Sequence, residues 1–570
     1  MRIRKFVAVL LSLSLLLPIP AFALDQSDML QKIEALSKQL EHMKQQLQDM
    51  QKKDADKEER ITVVEKKSQD SKDSASASWL QLGGDYRFRS DYLTGKVANH
   101  YHFGTMQRDV QTRIANGTMG ALTPATATVP GYYSPAAAVY AAALGSGQTN
   151  SYIAKNDSLF TNRFGLNMVA KATEDIQVKA RLLMYKTWGN SAIDQSPFFA
   201  DRFVLMDGNL GHVPTDNTLR VDQAYATWSN IGGAPVWFSV GRRPSTGGIP
   251  TNIRQNLEKS GTAGVPGLLV DYAFDGLTLG VAPDIDILPG AYAKFCYGKG
   301  MDSGFYEQGN YSNRFKDVQF YGLNIVPYDT DNLHVELQWQ KGKDIFAYPG
   351  SSDPFGLGAA NKNIGDLTWY GSVVSGKIEK LGFGDLNLFG SFAVSTTDPN
   401  DNMYSGNFYS DNGTGGIYYN QNAALAGFLY DPDARGGSTL KRSRTGSAYY
   451  LGARYDIKPT LTKIGAEYNR GTKYWMAFTP AADDMWTGKL GTRGSVYEVY
   501  LIQELNKKPI AKRGKAFARL GYQKYNFEYT GSGFWLGEPK KISELTTNSN
   551  SLLRPIQSAD NIYLTLEVMF

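Results

Sequence analysis

The chain of 570 residues contains a single cysteine, Cys296. An intrachain disulfide is therefore excluded, and without a Cys-x-x-Cys-His run the chain carries no c-type haem of its own. Its five histidines are scattered and form no metal-ligand cluster. After the first two dozen residues no apolar stretch reaches 18 residues, which excludes a helical membrane protein. No Gly-x-Ser-x-Gly elbow is present, so nothing marks a hydrolase. Catalytic residues, metal ligands and cofactors are all read as none, and the chain is not read as an enzyme. Net charge is small as well. The formal net charge is +5, and residues 79–570 are nearly balanced, which is no nucleic-acid footprint. Abundant instead are aromatic residues at 12%, with 34 tyrosines, and 58 glycines. That mixture suits β-strands that alternate in polarity and escape hydropathy plots.

Three segments precede the strand-rich part. Arg2, Arg4 and Lys5 lead the apolar run Phe6 to Leu17, followed by Ala21-Phe22-Ala23. This is a secretory signal peptide over 1–23, and no cysteine follows it to make a lipoprotein signal. Next, Met29, Ile33, Leu36, Leu40, Met43, Leu47 and Met50 are spaced alternately four and three apart. The register meets Asp54 and Lys57 and recovers at Ile61 and Val64. This heptad pattern predicts an α-helical coiled coil over 24–67, about 60 Å long at about 1.5 Å per residue, and association with copies of the same chain. Residues 68–78 are rich in Ser, Ala, Asp and Lys and read as a flexible linker.

From Trp79 onward the pattern is one of hairpins. Phe164, Leu166, Met168 and Ala170 alternate with polar residues, Thr173-Glu174-Asp175 turns, and Ile176, Val178, Ala180, Leu182 and Met184 alternate again. Strands of about ten residues, apolar on one face and charged on the other, are the mark of a transmembrane β-strand. Asp275-Gly276 is read as a two-residue hairpin turn between Gly267–Phe274 and Leu277–Ala282. A third hairpin surrounds Tyr328 to Asp331. Short and long connections alternate along the chain. The count is about sixteen antiparallel strands, with Ala291–Tyr297 placed in an external loop, or eighteen if that segment crosses the membrane. The expected fold is an all-β transmembrane barrel over 79–570. With the apolar parity facing lipid, the pore-lining candidates are Arg163, Lys171, Lys179, Arg181, Arg220, Asp222 and Arg243. Charges of both signs on the lumen face are nearly equal in number, although Arg163, Lys171, Lys179 and Arg181 form a local basic wall. Cys296 is read as a solitary thiol. Asp398, Asp401 and Asp411, in a loop over 396–445, are weighed as a divalent-cation site, with surface display preferred.

The last residues, Ile562 to Phe570, alternate strictly and end on an aromatic. Leu564, Leu566, Val568 and Phe570 resemble the insertion signal that the assembly machinery reads on Gram-negative outer-membrane barrels. Val221-Asp222-Gln223-Ala224-Tyr225, followed by Trp237-Phe238-Ser239-Val240-Gly241-Arg242-Arg243-Pro244, resembles the central hairpin of outer-membrane porins. With the heptads, the mature chain is similar to coiled-coil-bearing, porin-like proteins, including a group of unassigned function. The resemblance implies a homotrimer in outer-membrane lipid, with the coiled coil in the periplasm and the third external loop, 244–266, folded inward. Arg254, Glu258 and Lys259 are then the constriction candidates. The implied function is passive diffusion of small hydrophilic solutes or ions through a polar lumen. The alternative is a barrel scaffold or sheath for a partner such as an electron-transfer cytochrome, or an envelope tether.

Overall fold

In the computed structural model the chain divides into two units, Met1–Ser78 and Trp79–Phe570. The structure describes residues 79–118, 132–133, 142–189, 198–199, 214–245, 247–257, 265–304, 315–348, 353, 355–411, 417–432, 441–479, 483–505 and 514–570. The signal peptide, coiled coil and linker lie outside the described residues.

Sixteen antiparallel strands close into one barrel. They are β1 (Leu80–Val97), β2 (Tyr152–Lys171), β3 (Ile176–Thr187), β4 (Arg220–Trp228), β5 (Val236–Ser245), β6 (Tyr272–Val281), β7 (Tyr292–Met301) and β8 (Val318–Asp329). There follow β9 (Leu333–Phe346), β10 (Asn363–Leu381), β11 (Gly384–Pro399), β12 (Thr445–Ile457), β13 (Thr462–Gly471), β14 (Gly494–Glu504), β15 (Lys515–Phe527) and β16 (Ile556–Met569). Each strand pairs with its sequence neighbours, and β16 closes the ring against β1. Closure leaves no sheet edge, so every strand finds its backbone partners inside the sheet.

Connections alternate strictly in length. Seven short ones, from 172–175 to 505–514, lie at the end that carries Trp79 and Phe570. The eight long ones at the other end are loops L1 (98–151), L2 (188–219), L3 (246–271), L4 (302–317), L5 (347–362), L6 (400–444), L7 (472–493) and L8 (528–555). L1 carries helix α1 (Phe103–Ala115), capped by the His102 ring accepting from the Thr105 amide at 3.1 Å.

Period two decides the faces. Leu82, Val178, Val240, Leu279, Phe295, Leu337, Val374, Leu451, Val499 and Leu520 all stand exposed on the outside. Leu564, Leu566, Val568 and Phe570 join them. An apolar belt around a closed sheet is stable only against hydrocarbon, which makes this a membrane barrel. The chain's last residue is built in. The Phe570 amide and carbonyl pair with Gly84 at 3.0 and 2.8 Å, and the Phe570 ring covers Gly84, where a Cβ would sit 2.7 Å from it.

Two expectations need correction. Asp275-Gly276 is not a turn, because β6 runs straight through it. Gly276 lies in a row with Gly241 and Gly298 on the two neighbouring strands. A Cβ on Gly276 would meet the Tyr297 carbonyl oxygen at 2.0 Å. Glycine is there for close strand approach, and Asp275 sits opposite Arg242, with the charges 3.7 Å apart. Pairing on both sides overrides the local turn preference. The turn falls instead at 282–291, where Gly290 has φ 72°. Consequently Ala291–Tyr297 is no part of an external loop: Tyr292–Met301 is the barrel strand β7. One false strand and one missed strand cancel, so sixteen stands and eighteen does not.

Candidate functional site

The inner face of the barrel is polar, but most of it does not face water. L3 turns inward at the long-loop end and carries a single helical turn, α2 (Thr251–Arg254), all four residues of which are buried. The Arg254 guanidinium donates to Asp484 at 2.7 Å and to Glu498 at 3.1 Å. Its carbonyl accepts from Arg519 at 2.7 Å, and the Ile253 carbonyl accepts from Arg454. Asn256, at φ 58°, takes Lys463 on its side-chain oxygen at 2.7 Å and Lys515 on its carbonyl at 3.0 Å, and donates to Glu504 at 3.2 Å. Lys463, Glu504 and Lys515 stand at the short-loop ends of β13, β14 and β15. L3 therefore runs through the height of the barrel and is clamped against β12–β15.

L7 fills the space above it. Asp483 is held by Arg87 and lies 3.7 Å from Arg163. Asp484 accepts from Gln523 at 2.8 Å and from the Lys489 amide at 3.0 Å. The Lys489 ammonium sits between Glu467 and Glu498. The indole of Trp475 donates to the Leu490 carbonyl at 2.8 Å, and Trp369 of β10 donates to the Met476 carbonyl at 2.7 Å. Around these bonds Trp369, Phe389 and Tyr450 of the barrel wall pack with Leu268 and Leu269 of L3, Trp475 and Phe478 of L7, and Trp535 of L8. Burial alone would raise the Asp483 carboxyl, but the guanidinium of Arg87, then those of Arg163 and Arg89, hold it well below the usual carboxylate range. Asp271, at the root of L3, is pushed by burial up to about 7.

The wall of β2–β4, with the start of β1, keeps contact with water. Arg163 and Arg181 are each 17% exposed, Asp85 16% and Asp222 11%, against 2% for Arg87 and 1% for Glu498. This contrast divides the lumen into a filled half and a watered half.

The pore-lining candidates fall as follows. Arg163 lies 3.6 Å from Asp85. Arg181 lies 2.7 Å from Asp85 and 3.6 Å from Asp222. Lys179 is half-buried on the same wall, and Lys171 is exposed at the short-loop rim. Arg220 stands at the opposite rim, paired with Asp216 at 3.1 Å. Arg243 lies with its guanidinium 5.6 Å from the centre of the Tyr225 ring. Of the constriction candidates, Arg254 is part of the ion network and no solvated loop charge. Glu258 and Lys259 lie outside the described residues. Cys296 accepts a hydrogen bond from Thr278 at 3.2 Å. Among the described residues no three His, Cys, Asp or Glu side chains group to hold a metal; of the weighed cation site Asp398, Asp401 and Asp411, the Asp411 side chain lies outside what the structure describes. The reading from sequence missed Asp483, Asp484 and Lys489. Their signal was present: Trp475, Met476, Phe478, Met485, Trp486 and Leu490 make L7 far too apolar for a loop lying in water.

Two solved structures with similar barrels are the outer-membrane-expressed OmpT of Vibrio cholerae and OmpF of Salmonella typhi in complex with daunomycin. The first is 12% identical over 87% of this chain and 99% of its own, with a TM-score of 0.35. The second is 10% identical over 86% and 97%, with a TM-score of 0.35. Neither likeness carries an argument about this chain. No curated protein matches the sequence. Residues 153–570, from the start of β2 to the end of the chain, match the family described as "Protein of unknown function (DUF3373)", and the chain belongs to that family.

Proposed function

We propose that the chain is an outer-membrane porin that passes small hydrophilic solutes or ions by passive diffusion through a narrowed lumen. The observation that carries this reading is the crossing of the lumen by L3, clamped by Arg254 on Asp484 and Glu498, beside a charged wall that water reaches. A barrel narrowed by an inward loop filters by size and charge without chemistry. The apolar belt and the C-terminal strand ending at Phe570 support outer-membrane insertion through the assembly machinery. The heptads over 24–67 support association with copies of the same chain, and the resemblance to porins favours a homotrimer with its coiled coil in the periplasm. The test is single-channel conductance of the purified oligomer in a planar bilayer under a salt gradient. Stable openings in steps of three are expected, with an ion preference set by Arg163, Arg181, Asp85 and Asp222.

A second reading, a non-conducting scaffold or envelope tether, draws on the packing of L3 and L7 inside the barrel. A barrel that inserts but never conducts would put that reading first. A sheath around a partner polypeptide is the weaker form of it, because the chain's own loops occupy the space such a partner needs.

A further inference from the structure

Below L3, at the short-loop end, lies a chamber of about 530 Å³ between Ile253 and the inner faces of β5–β12. A second, smaller cavity of about 60 Å³ lies in the wall of β5–β9. Arg243 and Lys294 line both. The row of Gly241, Gly276 and Gly298 leaves this part of the wall without side chains.

Arg243 differs from the other lumenal arginines. Arg87, Arg89, Arg163, Arg181, Arg254, Arg454 and Arg519 each pair with a carboxylate. Arg243 has no carboxylate partner among the described residues; its Nε, like those of Arg87, Arg163, Arg254 and Arg519, is buried without a hydrogen bond. Two acceptors in the smaller cavity are likewise buried and unmet, Asn324 Oδ1 and Gln340 Oε1. The orientation of Asn324 is set by its amide donating to Glu336. Two carboxylates nearby are engaged elsewhere, since Asp329 and Glu336 flank the His334 ring at 3.0 and 3.2 Å. Buried polar groups in folded proteins are ordinarily paired, so three orphans around one hollow point to a missing partner. The partner must offer negative charge to a guanidinium and hydroxyl donors to two amide oxygens.

We propose that a small hydroxylated anion, a carboxylate or phosphate ester, binds across the two hollows, with Arg243, which lines both, taking the anionic head and Asn324 and Gln340 of the smaller one taking its hydroxyls. The proposal deepens the porin reading by naming a solute class, and it places a binding station on the periplasmic side of L3. A guanidinium suits either head group because its planar fork meets two oxygens at once.

The test is calorimetric titration of the detergent-solubilised full chain with gluconate, inorganic phosphate and acetate, alongside the bilayer recording. Gluconate is expected to bind more tightly than acetate, and Arg243→Gln to weaken it at least tenfold, as loss of one charge-assisted contact does. Arg243→Lys should restore part of that loss, and heat-modifiable gel mobility confirms that each variant is folded. Tighter binding of phosphate than of gluconate, also lost in Arg243→Gln, assigns the head group as phosphate. Equal binding of gluconate by wild type and Arg243→Gln, or no binding at all, overturns the proposal even where the barrel conducts. Arg243-dependent binding by a barrel that never conducts keeps the site and removes the porin reading.

Discussion

Both halves of the lumen follow one sequence rule, with polar residues at every second position, yet they end in opposite states. On β12–β16 and β1, Glu467, Glu498 and Arg87 are sealed under L3 and L7 and meet loop charges, while Arg519 meets the Arg254 carbonyl of L3 and Glu567 of β16. On β2–β4, Arg181 and Asp222 meet each other and water. Alternation therefore fixes which way a side chain faces, and the loops decide what it faces. A buried ion network is expensive to disrupt because the remaining charge stays without water, whereas exposed pairs contribute little. The filled half should thus govern stability and the watered half permeation.

The sharpest break in that comparison is Lys489→Met. It removes the ammonium between Glu467 and Glu498 and leaves two carboxylates facing each other in a dry site. A loss of about 3–5 kcal/mol is expected, read as a lower guanidinium midpoint in detergent. Adding Glu467→Gln should recover part of it. An unchanged midpoint would show that L7 is not held by these charges.

Arg254→Ala comes next. It removes the bonds from L3 to Asp484 and Glu498 but leaves the Asn256 clamps to Lys463 and Lys515 in place. About 2–3 kcal/mol of stability should go, the scale of hydrogen bonds to charged groups. Single-channel conductance should rise and become noisier as the L3 tip swings. Equal conductance with lower stability would place the narrowest point elsewhere than beside L3.

Arg181→Gln addresses the watered half. Its partners Asp85 and Asp222 retain Arg163 and water, so the stability cost should be about 1–2 kcal/mol. The reversal potential in a salt gradient should move toward cation preference. A large stability loss with an unmoved reversal potential would erase the distinction between the halves.

How far the fold was legible follows from the same physics. Strand faces, the terminal strand and the alternation of short and long loops are local patterns, and they could be read. Asp275-Gly276 has the local form of a turn, but the approach of β7, whose Tyr297 carbonyl leaves no room for a Cβ on Gly276, is not local. The false hairpin and the overlooked strand at Tyr292–Met301 offset each other, so the correct total rested on two compensating errors. The lumen was harder still. Arg87 meets Asp483 across 396 positions of sequence, and counting charges of each sign gave no hint that loops would neutralise one half. L7's six large apolar residues were the one readable trace of burial.

The smallest expected effect joins the halves at the root of L3. Asp271 is buried beside the start of β6 and accepts from the Gly247 amide at 3.3 Å, fastening the two ends of L3 together. Burial raises its carboxyl to about 7 in the folded barrel, against about 3.9 in an unfolded chain. The fold therefore favours the protonated form. Its contribution is intact below pH about 4 and is lost as pH rises through about 7, because the folded barrel must then ionise a group that the unfolded chain ionises freely. Between pH 6 and 8 the change amounts to about 1 kcal/mol. Guanidinium midpoints taken across that window should fall for the wild type, and channel noise should grow. Asp271→Asn keeps the shape, cannot ionise, and should flatten both trends. If Asp271→Asn leaves the pH dependence as it was, some other group fastens L3, and the coupling between the loop's root and the clamped tip must be sought elsewhere.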